Sequence, residues 1–165
     1  MITRTAKILL LAGIALFYTL VSFNNLTDFN SNYQFVRHVL MMDSTFPGNH
    51  GLWRAVASPG VHLAFYLLII GWEITTTILL WWSVVHLART VRKPAVAYNA
   101  AKRVAVMALT VSLLMWLVAF LSVGAEWFLM WQSRAWNGQE TAFRMFAVVG
   151  LVLLLILQHD TDLQP

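Results

Sequence analysis

The chain alternates between long apolar runs and short polar intervals, and the runs have membrane length. Crossing about 30 Å of hydrocarbon takes about 20 mostly apolar residues in a helix. Four stretches meet that requirement, at about residues 7–25, 60–86, 104–126 and 141–158. The first has a basic start and an apolar run from Ile8 to Phe23, as a signal peptide would. Asn24 and Asn25 follow where a small-x-small cleavage site should be, so it reads as a retained anchor. The second opens at Ser58-Pro59-Gly60, an N-cap followed by proline at the first helical position. The one long polar interval, residues 24–59, begins with turn formers from Asn24 to Asn32. It then predicts a short amphipathic helix from about Tyr33 to Met42, with Phe35, Val36, Val39 and Leu40 on one face. The expected fold is all-α: one integral membrane domain over residues 1–165, a four-helix transmembrane bundle whose long outer loop carries a short helix.

Charge orients these elements. Arg4, Lys7, Arg89, Arg92, Lys93, Lys102 and Arg103 group at one end, and Arg37, Arg54, Arg134 and Arg144 at the other, beside Asp28, Asp43 and Glu140. The positive-inside rule makes the richer side cytoplasmic, with both termini there. The sharper reading of the same basic loop is a contact with anionic lipid. Trp53, Trp127, Trp131 and Trp136 gather at the outer level and Trp81 and Trp82 at the inner one, as interfacial aromatics do.

Composition removes several classes of function. With 59% hydrophobic and 11% charged residues, the chain is too apolar for a soluble domain. It also has too few charges for a disordered segment or for neutralising a nucleic-acid backbone. Cysteine is absent, which excludes disulfides, thiolate metal sites and cysteine nucleophiles. Any metal must be held by His, Asp, Glu or Met.

Glu73 is the residue that most needs a reason, because it lies about thirteen residues from either end of its span, near the bilayer midplane. Ionised and unpaired it would cost several kcal/mol, so it should face protein and be protonated, hydrogen-bonded or matched to a cation. At 100° per residue His62, Tyr66 and Thr77 fall on its stripe, with Thr76 on the flank. His62 is about 16 Å from Glu73 along the helix, and Tyr66 lies between them, so waters would complete an outer half-channel. The alternative is structural: Thr76 and Thr77 bond backbone carbonyls and protonated Glu73 pins a neighbouring helix. At the outer rim, Glu126 ends the third span and Arg144 lies one turn into the fourth, so an ion pair is expected, with Tyr18, Ser22 and Asn25 available to support it.

The histidines raise the question of haem and metal. Two facing imidazoles at matched depth would suit haem, and only His86 and His159 share a level, at the shallow inner edge. In the outer loop His38, Asp43 and His50, with Met41 and Met42, make a list that would suit copper by ligand softness. No H-E-x-x-H, G-x-S-x-G, phosphate-loop or G-x-G-x-x-G pattern occurs.

Residues spread over nearly the whole chain carry a resemblance. Asn24-Asn25-Leu26-Thr27-Asp28, His38-Val39, Met42-Asp43, Trp53-Arg54, Glu73, Glu126 through Ser133, Trp136-Asn137-Gly138-Gln139 and Arg144 resemble a bacterial family of predicted small integral membrane proteins. The resemblance implies four spans in a bacterial inner membrane and no chemistry. Three functions stay open. One is a non-catalytic accessory or assembly subunit, whose partner is a larger membrane complex or a second copy besides the lipid bilayer. Another is a proton- or cation-coupled protein using Glu73. The last is a quinone- or haem-binding subunit. Gly13, Gly71, Gly124 and Gly150 permit close helix contacts, within the chain or between chains.

Overall fold

In a computed structural model that describes residues 1–162, the chain is built from helices, with no strand among the described residues. Helix α1 covers Ile2–Thr27, α2 Phe29–Met41, α3 Pro59–Thr90, α4 Ala95–Leu114 and α5 Gln139–Leu157. Two short 3₁₀ turns, Leu52–Arg54 and Met130–Gln132, lie in the connections. Beyond Leu114 the α4 helix widens into a π-helical segment, Met115–Trp127, so that Ala95–Trp127 forms one apolar rod. Four rods are therefore long and apolar enough to cross a membrane: α1, α3, α4 with its π extension, and α5.

Each rod is amphipathic in the sense a membrane demands. Many leucines face outward while most polar groups within the spans lie in the buried stripes, because lipid solvates apolar side chains and cannot satisfy a hydrogen bond. On α1 the buried stripe is Arg4, Lys7, Leu11, Ile14, Tyr18, Ser22 and Asn25, while Leu9, Leu16 and Leu20 are exposed. On α3 it is His62, Tyr66, Ile70, Glu73, Thr76, Leu80, Ser83, Leu87 and Thr90, at a spacing of three or four residues.

The contacts group into two compact units, and both contain segments of all four rods. The first comprises Met1–Ser22, Glu73–Leu113 and the described residues from Ala147. Its core uses small residues: Ala101, Ala105 and Ala108 on α4 are 0–4% exposed and let backbones approach, as small-x-x-x-small faces do. Tyr18 and Ser112 share a buried hydrogen bond of 2.7 Å, and the Trp81 indole donates to the Thr19 hydroxyl at 2.9 Å.

The second unit comprises Phe23–Trp72 and Leu114–Phe146. Here α2 lays the apolar face predicted for it on the end of the π segment and the loop that follows. Val39, Leu40, Met42, Ala125, Phe128 and Met130 form the core, with Phe35, Val36 and Trp136 packed against it. Helices begin and end elsewhere than the hydropathy pattern suggests. Asn24 and Asn25 do not turn the chain: α1 runs to Thr27, the break is confined to Asp28, and α2 starts at Phe29. The reason is local satisfaction. The Tyr66 hydroxyl donates to the Asn25 carbonyl at 3.1 Å, one of the terminal α1 carbonyls that has no partner within the helix. Phe29 and Tyr33 then pack on the Tyr66 ring.

The π segment is the feature that hydropathy could not reveal. The Phe128 amide and the Ser122 hydroxyl each reach a carbonyl five residues back, Val123 and Leu117, the spacing of a π-helix. A Cβ on Gly124 would stand 3.3 Å from the Ala119 carbonyl oxygen and 3.5 Å from Met130 Cε. Glycine thus allows Met130 to seat against the widened turn. Gly124→Leu is expected to lower the thermal midpoint of detergent-solubilised protein, with a loss of about 1–3 kcal/mol from overpacking. Gly13, whose Cβ would meet nothing within 4 Å, is the control, and Gly13→Ala should stay within about 0.5 kcal/mol of the parent.

Candidate functional site

The densest polar construction lies in the first unit, where α1, the α3–α4 loop, α4 and the segment after α5 meet. Arg4 is 1%, Lys7 6%, Lys102 6% and Asp160 7% exposed. Burying such groups requires partners, and the helix ends supply them. Arg4 donates to the carbonyls of Val91 (3.0 Å), Lys93 (2.8 Å) and Thr161 (2.7 Å), with its guanidinium 4.7 Å from the Tyr98 ring centre. Lys7 donates to Asp160 Oδ2 at 2.6 Å and to the Gln158 carbonyl at 2.9 Å. Lys102 donates to the same carbonyl and to Asn99 Oδ1, both at 2.7 Å, and pairs with Asp160. Cations at the carbonyl ends of α3 and α5 complement the partial negative charge there.

Asn99 completes the construction. Its amide donates to the Asp160 carbonyl at 2.8 Å, and its oxygen accepts from the Asp160 amide at 3.1 Å. Asp162 caps the first amide of α4, at Ala95, at 2.6 Å. Burial pushes the Asp160 carboxyl up, but the hydrogen bonds from Lys102 and Lys7, and then their charges, outweigh it and hold it below the ordinary carboxylate range.

These residues read in the sequence as topology signals. The clue to a structural role is their phase: Arg4 and Lys7 continue the stripe of Leu11, Ile14 and Tyr18, and Lys102 that of Tyr98, Ala105 and Leu109. The same pairing explains why α4 starts at Ala95 rather than near residue 104. Lys102 is neutralised inside the protein and does not have to stay in water.

The expected intramembrane site is placed as follows. Glu73 is 3% exposed. In its unit the Thr77 hydroxyl donates to the Glu73 backbone carbonyl at 2.8 Å and lies 3.4 Å from Ser22 Oγ. Thr76 rather than Thr77 is the fully buried threonine, at 0%. In the other unit, His62 is 1% exposed and its Nε2 donates to the Val56 carbonyl at 2.7 Å. Tyr66 donates to Asn25. His62 and Tyr66 therefore each hold a loop or a helix end.

At the outer rim, Glu126 and Arg144 are not brought together. Both are exposed, and Arg144 lies 3.4 Å from Glu140 one turn earlier on α5. The π register is the cause: it turns Gly124 and Ala125 inward and leaves Ser122 and Glu126 outside. Tyr18, Ser22 and Asn25, expected to support that pair, contact Ser112, Thr77 and Tyr66 instead.

Of the outer-loop ligands, His38 and Asp43 meet, with His38 Nδ1 donating to Asp43 Oδ2 at 2.6 Å and the ring stacked 4.6 Å from Trp136. His50 is exposed. Met42 is a core residue, 2% exposed, in a left-handed conformation with φ of 52° that ends α2. No group of three or more metal-ligating side chains assembles among the described residues.

The cluster around Asp160 gives a direct expectation. Asp160→Asn strands two buried lysines, which should cost about 3–5 kcal/mol, read as a fall in thermal midpoint in detergent. A carboxyl whose pKa is depressed by folding contributes stability above its unfolded pKa and loses it as pH falls through the folded value. The parent should therefore weaken in acid, below the ordinary carboxylate range. Asp160→Asn should be weak already at neutral pH and lack that component.

No curated protein and no solved structure matches the chain. A family model does, over residues 3–159, and it bears the description predicted small integral membrane protein (DUF2165). With four membrane-length helices and a match over nearly its whole length, the chain belongs to this family of integral membrane proteins.

Proposed function

We propose that this protein is a non-catalytic accessory or assembly subunit of a complex in a bacterial inner membrane, with both chain ends cytoplasmic. The observation that carries the reading is a fixed, exposed aromatic surface in the second unit. Trp53 is 76%, Trp127 48%, Trp131 42% and Phe46 54% exposed. Trp53 and Trp127 meet edge to face at 5.8 Å, and the Arg54 guanidinium lies 5.9 Å and 5.4 Å from their ring centres. Trp131 and Phe46 form a second edge-to-face pair at 5.8 Å.

The backbone under these rings is tied down. Gln132 Oε1 accepts from the Phe46 amide at 3.1 Å and from Asn49 at 3.2 Å, and Ser44 donates to Ser133 at 2.8 Å. Preordered Trp and Arg side chains are what protein interfaces use as anchors, because little rotamer freedom is lost on binding. Interfacial anchoring alone would need the rings at membrane level but would not need this scaffold. The orientation is supported by the basic residues grouped at the end of Arg4, Lys7 and the α3–α4 loop.

Affinity isolation of the tagged protein from native membranes in mild detergent should yield a membrane protein at constant stoichiometry, lost in Trp53→Ala/Trp127→Ala while expression and folding persist. Repeated isolation of the chain alone would count against the proposal. Reporter fusions to either chain end should be active only when the reporter works in the cytoplasm.

Glu73 motivates a second reading, proton or cation coupling, because an acid that is 3% exposed in the middle of a span is costly and is kept mainly where it is used. Glu73→Gln preserves shape and hydrogen bonding while removing titration. On this reading it should abolish proton or ion flux in proteoliposomes that the parent supports, and equal flux in the two would end it.

A further inference from the structure

A groove of about 400 Å³ opens beside the Asp160 cluster, lined by Asn99, Lys102, Arg103, Val106, Leu157 and His159. Its lining passes from polar to apolar along α4, where Asn99 and Arg103 lie on successive turns and Val106 follows within one more turn, about 10 Å beyond Asn99 at the helical rise. On the facing side Leu157 is the last residue of α5 and His159 lies two residues past it. Leu157 is 56% exposed, so the apolar part is open to lipid.

The charges in and behind the groove do not cancel. Lys7 and Lys102 face one carboxylate, Asp160, and among the described residues no acid lines the groove. All three Lys102 protons are already taken, by Asn99, Gln158 and Asp160, so Lys102 supplies field rather than a donor. Arg103 is exposed and forms no ion pair or hydrogen bond among the described residues, which leaves its five N–H donors free. The Asn99 amide stands 3.5 Å from His159 Nε2. With that nitrogen accepting, Nδ1–H is the donor the imidazole retains.

We propose that this groove binds one anionic phospholipid. Its phosphodiester accepts from Arg103 and His159 over the surplus charge of the buried lysines, and an acyl chain lies along Val106 and Leu157. Guanidinium pairs with phosphate in a charge-assisted, forked geometry. A cationic mouth above an apolar wall at the end of two spans matches a lipid from headgroup to tail. This inference is independent of the accessory-subunit reading and of any role for Glu73.

Native mass spectrometry of the full chain in mild detergent, titrated with phosphatidylglycerol or with phosphatidylcholine of the same acyl chains, tests it. One phosphatidylglycerol should bind about tenfold more tightly than phosphatidylcholine, and Arg103→Gln should remove about that factor. Arg103 forms no hydrogen bond or ion pair among the described residues, so the thermal midpoint of Arg103→Gln should equal the parent's. Arg92→Gln, exposed in the α3–α4 loop outside the groove, should bind as the parent does. Equal binding of the two lipids would overturn the proposal. An equal loss in Arg92→Gln would overturn it in favour of diffuse surface attraction. Displacement of the lipid by millimolar inorganic phosphate would make the ligand a soluble phosphate and overturn it as well.

Discussion

Lys7 of α1 and Lys102 of α4 both bond to Asp160, just beyond α5, and both reach the Gln158 carbonyl. That shared acceptor fixes where three of the four rods stand relative to one another in the first unit. The α3 end joins through Arg4, which grips the Val91 and Lys93 carbonyls and also Thr161. Chain ends and loops are normally the least ordered parts of a small protein. Here the N-terminal turn, the α3–α4 loop and residues 158–162 are tied together by one polar network around the buried Arg4, Lys7, Lys102 and Asp160. In membrane helices no hydrophobic difference between lipid and neighbour pulls rods together, so polar ties at the rod ends take a larger part in setting register.

The same logic runs along the rods. Tyr18 with Ser112 and Ser22 with Thr77 place hydrogen bonds where a soluble bundle would place leucine. Each is worth about 0.6 kcal/mol on average between membrane helices, so none dominates, and close approach through Ala101, Ala105 and Ala108 supplies the dispersion contacts that accompany them. In the second unit the ties are of another kind. Tyr66 closes on the end of α1, and α2 seals the widened end of α4 with Val39, Leu40 and Met42.

Hydropathy made the four spans legible, and the amphipathic period of Phe35, Val36, Val39 and Leu40 made α2 legible, because both are one-body properties of the chain. The ion pair expected between Glu126 and Arg144 rested on their matched depth at the ends of two neighbouring spans. Depth does not fix which way a side chain faces, and with the π register after Leu114 both are exposed and unpaired with each other. The roles of Arg4, Lys7 and Lys102 were hidden for a different reason. A basic residue near a span end satisfies the positive-inside rule whether it points to water or to protein, and only the phase of the buried stripe separates the two. Asp160 lies just past the fourth span and carries no local pattern at all; its meaning comes from two lysines more than fifty residues away.

The disposition of the seven acids narrows where chemistry can reside. Asp160 neutralises two lysines, Asp162 caps α4, Asp43 holds His38, Asp28 accepts from Ser31, and Glu140 lies one turn from Arg144. Glu126 is exposed. Each of these stands at a rod end or in a connection, where water or a cation offsets its charge. Glu73 alone is buried far from either end of its rod. The acids that tie helix ends and the acid at midspan are thus different residues. Asp160 can be expected to govern stability and assembly of the first unit, and Glu73 is the one acid whose removal can separate a structural membrane subunit from an ion-coupled one.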